Sequence, residues 1–125
     1  MAILTFDQIK NAEDRTYQDV EAPEWGGTVR LRVMGSAVRR AFEKHLADVE
    51  KDLSVDTRAL LVGACMCDEA LTHLCVRFDA EQQPQFVFDN IKALAAKSNV
   101  PIVRLFKVAK TLNVIGDEED DAEKK

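Results

Sequence analysis

Two alternating stretches on either side of a short turn constrain the fold of this chain most strongly: YQDVEA at 17–22 and TVRLRV at 28–33. In TVRLRV apolar and polar side chains alternate strictly, and in YQDVEA the acids Asp19 and Glu21 alternate with Gln18, Val20 and Ala22. A period of two is typical of a strand with one buried and one solvated face. Because a glycine-containing turn separates the two runs, they predict an antiparallel hairpin.

Charge pairing predicts the register of this hairpin. Placing Pro23 opposite Thr28 makes EWGG the loop and produces four complementary cross-strand pairs: Glu21–Arg30, Asp19–Arg32, Val20–Leu31 and Ala22–Val29. A slip of one residue would set the acids against apolar side chains. The arginines therefore have a structural interpretation as cross-strand partners, each pair contributing roughly 0.2–1 kcal/mol.

The loop carries Trp25, which is the only tryptophan of the chain and precedes two glycines. An aromatic side chain on a loop either folds back onto the core or anchors a binding partner. The glycines beside it allow the backbone to make the turn. We expect Trp25 to close the core, and the second role makes it a candidate partner-binding residue.

Helical signals dominate the rest of the chain. Thr5 and Gln8 have the spacing of a capping box, which predicts a helix from Phe6 to Ala12. Apolar residues recur every three or four positions after Ser36, which predicts an amphipathic helix from Ala37 to about Lys51.

The second half predicts three more helices joined by loops. The first is capped by Ser54 or Asp56 and runs to about Cys67, although a strand within ALLVGACMC remains open because a short apolar run suits either structure. DAEQQPQ is a predicted loop centred on Pro84. The next predicted helix runs from Asn90 to Lys97 and is capped by Asp89. The last predicted helix begins near Pro101, a position where helices tolerate proline, and ends at about Asn113 before Gly116. Its apolar positions are Val103, Phe106, Ala109 and Leu112.

These elements predict an α+β fold that is predominantly α-helical, with the N-terminal β-hairpin packed on the helix from Ala37 to Lys51. At 125 residues the chain has the length of one domain. We assign residues 1–115 to this domain and 116–125 to an acidic tail that we expect to be disordered.

The distribution of charge bears on the partners. The net charge is −5, but the last nine residues, DEEDDAEKK, account for −4 of it, so the other 116 residues are nearly neutral. No overall field attracts the domain to nucleic acid or anionic lipid. Four arginines at positions 30, 32, 39 and 40 lie close together in sequence, but nearby acids are placed to cancel their charge.

The chain also has no signal peptide, no apolar run of about 18 residues and no disulfide pattern, so we expect a cytoplasmic protein without a membrane partner.

Catalytic and metal-binding patterns are weak. His45 and His73 lie far apart in sequence without a nucleophile motif near either, and His45 falls on the apolar stripe of its helix. Cys65 and Cys67 point about 200° apart on a helix, so they would share a metal ion only in a strand. We therefore predict no catalytic residue, no metal and no cofactor, and we interpret the cysteines as core residues.

The first 45 residues resemble the N-terminal half of the tail assembly chaperones of long-tailed phages with non-contractile tails. The resemblance is carried by a short opening helix, by PEWGG followed by alternating arginines, and by a small-residue turn before a helix containing R-x-x-F-E. ALLVGACMCDE, ALAAKS and the last helix match the family more loosely. The segment from Leu71 to Gln85 departs from it, being longer and more apolar.

The resemblance implies a non-enzymatic function. Members of this family bind the long, largely helical tape measure protein, keep it soluble while the tail tube polymerises, and are absent from the mature virion. The implied location is the cytoplasm of the bacterial host. A longer form made by ribosomal frameshifting would add the tail tube protein as a partner, and coating a long client requires a homo-oligomer.

The candidate partner-binding residues are two groups and one single residue: Arg30 and Arg32 on the hairpin, Phe86, Phe88, Val103 and Phe106 near the last helices, and Trp25. The aromatic residues supply more apolar area than so short a segment needs for its own packing. The alternative function is a small phage or prophage regulatory protein that acts through the arginine-bearing face of the hairpin.

Overall fold

The computed structural model describes residues 3–49 and 56–115. In these residues an N-terminal hairpin and five helices form an α+β fold, as the sequence predicts. The elements, in chain order, are α1 (Phe6–Asn11), β1 (Tyr17–Ala22), β2 (Gly27–Arg32), α2 (Ser36–Val49), α3 (Thr57–Cys65), β3 (Met66–Cys67), β4 (Val76–Phe78), β5 (Pro84–Phe86), α4 (Phe88–Ala95) and α5 (Asn99–Leu112). The predictions for Lys51, Ser54, Gly116 and the acidic tail at 116–125 lie outside the described residues.

The core is built around α3. This helix is apolar on every side, and its residues 59–65 are all buried, as expected for a helix enclosed by its neighbours. It packs against α5, α4, α2 and β2. Asp56 caps its N-terminus, since its side chain accepts a hydrogen bond from the Arg58 N–H at 2.9 Å, as predicted. No helix in the described part of the chain is long and apolar enough to cross a bilayer.

The hairpin exists with the predicted faces, but the predicted register is wrong by two residues. Asp19 lies opposite Arg30 and Val20 opposite Val29. A shift of two residues keeps every side chain on its face, so the alternation is unchanged. The loop is PEWG rather than EWGG, because Pro23 starts a single 3₁₀ turn that ends at Gly26, whose φ of +80° favours glycine.

The hairpin packs mainly against α5 and α3, rather than on α2 as predicted. Two residues of β2 also pair with β3, so the hairpin becomes a three-stranded sheet in the order β1-β2-β3. The predicted helix to Cys67 is therefore too long. It ends at Cys65 because Met66 and Cys67 form backbone hydrogen bonds with β2 instead.

Residues 76–86 form a second hairpin, whose turn lies in the predicted loop DAEQQPQ, although Pro84 and Gln85 of that loop belong to β5. Pro84 starts β5 opposite Phe78, a place where its missing N–H is tolerated. Asp79 stabilises the turn, since its carboxylate accepts from the N–H groups of Glu81 and Gln83 at 2.9 Å each. This hairpin carries Phe86 to the side of α2.

Two details of the last helices also differ. α4 begins one residue before the predicted cap, so Asp89 lies in its first turn and Val87 is the N-cap. Val87 is held there because its N–H donates to the Cys75 carbonyl at 2.8 Å. On α5 the buried residues are Pro101, Ile102, Leu105 and Ala109, whereas Val103 and Phe106, which marked the helix in the sequence, are only half-buried.

Candidate partner-binding surface

Three aromatic rings meet on the surface between α2 and the start of α4. The ring centroids of His45 and Phe88 are 5.2 Å apart, those of Phe86 and Phe88 6.2 Å, and those of His45 and Phe86 6.3 Å. The interplanar angles of 38° to 64° are tilted or edge-on arrangements, which aromatic pairs prefer. We call this surface the aromatic groove and define it by its lining residues: Ala41, Lys44, His45, Pro84, Gln85, Phe86 and Phe88.

Local structure explains why these rings meet. On α2, His45 follows the buried Phe42 by three residues, so both lie on the same side of the helix. On β5, Phe86 pairs with Val76 and leads directly into α4, whose first residue is Phe88. The groove is thus formed by one helical turn and by one strand-to-helix junction.

The groove combines apolar aromatic walls with a polar rim. It encloses about 220 Å³, and Phe88 remains 36% exposed at its edge. His45 Nε2 is buried and has no hydrogen-bond partner among the described residues, so His45 contributes its ring face rather than a polar contact. Lys44 adds a cation at the rim. A partly exposed aromatic side chain beside a polar rim makes this groove a candidate partner-binding surface.

Trp25 is not part of this groove. It is half-buried and packs against the core, in agreement with the core-closing role that the sequence favours. The neighbouring Glu24 fixes the loop on α5 through a two-pronged ion pair with Arg104, with both N–O distances 2.8 Å. Hydrogen bonding from Arg104 lowers the pKa of Glu24 to about 2.

Arg30 and Arg32 lie on the exposed face of β2 and are paired with acids. Arg30 binds both carboxylate oxygens of Asp19 at 2.7 and 2.9 Å, which raises the pKa of Arg30 and lowers that of Asp19. The predicted partner of Arg32 is wrong, because Arg32 binds Glu13 at 3.0 Å instead of Asp19. Hydrogen bonding from Arg32 lowers the pKa of Glu13.

Val103 and Phe106 also lie away from the aromatic groove, on α5. Both are half-buried, and Phe106 packs against the core with the Lys110 ammonium 5.4 Å from its ring centroid. Of the seven candidate residues, only Phe86 and Phe88 line the aromatic groove, and the structure adds His45 to them. The sequence placed His45 on the apolar stripe of α2, but its partners are more than 40 positions away in the chain.

A second set of apolar side chains is exposed at the N-terminus. α1 buries none of its residues, although the predicted capping box is present, with Thr5 and Gln8 each accepting from the other's N–H. Phe6 is 75% exposed and Ile9 53%. Sequence analysis missed this surface because an apolar helix face ordinarily indicates packing against the core.

The cysteines and His73 show little sign of reactivity. All three cysteines are buried and free, and burial raises the pKa of the Cys65 thiol to about 12. Burial lowers the pKa of His73. Within residues 3–49 and 56–115 no three metal-ligating side chains lie close enough together to hold an ion.

Comparison with known proteins gives a likeness of fold. No protein-family model matches the sequence, and no curated protein matches it. The structure is similar to that of the bacteriophage HK97 tail assembly chaperone, with a TM-score of 0.52 over 89% of this chain and 95% of that chain. The two sequences are 19% identical. The shared fold agrees with the family resemblance of the N-terminal sequence.

Proposed function

We propose that this chain is a phage tail assembly chaperone that binds the tape measure protein and keeps it soluble while the tail tube polymerises. The observation that carries the proposal is the similarity of fold to the HK97 tail assembly chaperone over nearly the whole length of both chains. The PEWGG hairpin supports it independently, because that motif carries the resemblance in sequence.

The aromatic groove is the proposed client site. A largely helical client presents apolar side chains at every third or fourth position, and a groove with aromatic walls accepts such a stripe. Lys44 supplies a cation at the rim of the groove. The pairing of Arg30 with Asp19 and of Arg32 with Glu13 disfavours the alternative, a regulatory protein acting through these arginines.

The proposal has further parts that follow from the family resemblance. The protein acts without catalysis in the host cytoplasm, is released before the virion matures, and works as a homo-oligomer along its client. A frameshifted form would bring the tail tube protein into contact. The exposed apolar side chains of α1 are suited to contacts between copies.

The test is co-expression with the tape measure protein encoded in the same genome, followed by size-exclusion chromatography of the soluble fraction. We expect a soluble complex that contains several copies of this chain. Phe88→Ala should weaken client binding roughly 30-fold, the effect of losing a binding hot spot of about 2 kcal/mol. Because Phe88 is partly exposed, the variant should still fold.

Phe78→Ala is the matched control, since Phe78 is 46% exposed but lies outside the aromatic groove. It should bind the client like the wild type. If the wild type fails to solubilise the client, the proposed function is wrong. If the wild type binds but Phe88→Ala binds equally well, the function stands and the groove is not the client site.

A further inference from the structure

The outer edge of β2 is only partly covered by a neighbouring strand. β3 pairs with Arg30 and Leu31 of β2, and the chain then turns away at Asp68, whose N–H donates to the Thr72 carbonyl at 3.0 Å. In the part of the chain that the structure describes, no other strand lies along this edge. The backbone beside Thr28 is therefore left open.

The free backbone groups at this edge are those of Thr28. On the opposite edge of β2 the Val33 N–H donates to the carbonyl of Thr16, just before β1, at 2.9 Å. Because successive residues of an antiparallel strand direct their N–H and C=O groups to opposite edges, Arg30 and Thr28 direct theirs away from β1. Arg30 meets β3 there, whereas the N–H and C=O of Thr28 face the open part of the edge. An unpaired edge of this kind is a template for an added strand.

A cavity of about 360 Å³ lies beside this edge, and we call it the edge cavity. Thr28 of β2 and Glu69 of the turn after β3 both line it, and its apolar wall comes from Val29, Met66 and Leu74. Val29 and Met66 belong to the inner face of the sheet and are half-buried, whereas Leu74 is 43% exposed. An extended peptide at the edge would therefore find an apolar contact on the inner face of the sheet.

The solvated side of this edge is acidic. Glu21 lies opposite Thr28 across the hairpin, and Asp68 and Glu69 line the cavity from the turn after β3. Among the described residues no lysine or arginine nitrogen comes within 4.0 Å of these three carboxylates. Arg30 also lines the cavity, but it is already held by a carboxylate of β1. The edge therefore favours a positively charged partner.

We propose that the edge of β2 at Thr28 binds an extended peptide in which lysine or arginine alternates with apolar residues. Alternate side chains of a strand point to opposite faces, so the apolar ones enter the edge cavity while the basic ones meet the acids on the solvated side. Backbone hydrogen bonds to the N–H and C=O of Thr28 fix the register. The site shares no lining residue with the aromatic groove, and the inference does not depend on the identity of the client.

The probe is a short fluorescent peptide of alternating lysine and valine, and its binding to the full-length chain is measured by fluorescence anisotropy at low salt. We expect saturable binding that is lost when serine replaces valine in the peptide or when glutamate replaces lysine. Hydrogen exchange supplies a second readout. The amide hydrogen of Thr28 should exchange about tenfold more slowly in the complex, because it becomes hydrogen-bonded to the peptide.

Two variants test the side-chain contacts, each with a matched control. Leu74→Ala removes part of the apolar wall and should weaken binding of the probe about fivefold, whereas Val100→Ala, at an exposed apolar residue of α5, should not. Glu69→Gln should weaken binding about threefold, whereas Glu81→Gln, in the turn of the second hairpin, should have a smaller effect. All four side chains are exposed, so the variants should fold.

The inference is wrong if the probe does not bind, or if the peptide of lysine and serine binds equally well, since the acids alone would then explain the interaction. Unchanged exchange at Thr28 with the probe bound would show that no strand has been added. Protection of Thr28 that rises with protein concentration in the absence of probe would also overturn the inference, because a second copy of the chain would then occupy the edge.

Discussion

Asn113 offers the sharpest test of how the core is held together. It is only 7% exposed, and its side-chain amide joins three elements. Oδ1 accepts from the Met34 N–H at 2.8 Å, while Nδ2 donates to the Ala109 carbonyl at 2.8 Å and to Cys65 Sγ at 3.3 Å. The amide therefore fixes the end of α5 to the end of α3 and to the connection between β2 and α2. We predict that Asn113→Ala destabilises the protein strongly.

The magnitude follows from the groups left without partners. The Met34 N–H would be buried and unpaired, which costs about 1–3 kcal/mol. The Ala109 carbonyl loses less, because it still accepts from the backbone N–H of Asn113 at 3.1 Å. With the small void left by the amide, the expected loss is about 2–4 kcal/mol of a total stability of about 5–15 kcal/mol.

Urea denaturation would measure this loss as a lower midpoint with an unchanged m-value. Thr111→Ala is the matched control, since that exposed hydroxyl bonds only to Lys107 of its own helix, and its effect should stay within about 0.5 kcal/mol. If Asn113→Ala loses less than about 0.5 kcal/mol, the argument from unpaired buried groups is refuted.

Two further predictions concern the loop of the hairpin. Because folding lowers the pKa of Glu24 from 4.5 to about 2, its ion pair with Arg104 stabilises the protein above pH 4.5, and this contribution is lost as the pH falls through about 2. Urea denaturation across this range should show that the wild type is more stable than Glu24→Gln near neutral pH and no more stable below about pH 2. An equal difference in stability at both ends of the range would contradict a stabilising ion pair between Glu24 and Arg104. Gly26→Ala should lower the free energy of unfolding by about 1–2 kcal/mol, because the φ of Gly26 is +80°. Gly27→Ala is the control and should be nearly neutral, since a Cβ added there meets open space. Equal unfolding free energies of the two variants would show that the left-handed turn is not required.

Local signals in the sequence predicted much of the fold correctly. The caps at Thr5 and Asp56 depend on side chains within three residues of the helix start, so they are visible without a structure. The buried faces of the two hairpin strands follow from alternation alone, as Leu31 with no exposed surface shows. The helix at 37–49 was also visible from its own apolar periodicity, without knowledge of the rest of the fold.

The errors arose where two local solutions were nearly equal in energy. Shifting the hairpin by two residues preserves its faces, so alternation could not select the register. The observed register retains one strong pair, Asp19 with Arg30, and leaves Arg32 to Glu13, which precedes the strand. Likewise, Met66 and Cys67 suit a helix or a strand, and they form a strand because the edge of β2 offers backbone hydrogen bonds.

The aromatic groove shows the same division. The sequence by itself determined that Phe86 and Phe88 form an apolar concentration and that His45 lies on the apolar stripe of α2. Only the tertiary structure decided that these three rings meet, whereas Trp25 and Phe106 pack against the core. The reason is physical: caps and periodicity involve neighbours in the chain, but a surface depends on how α2 and the second hairpin pack around α3, and that packing is settled by the whole core at once.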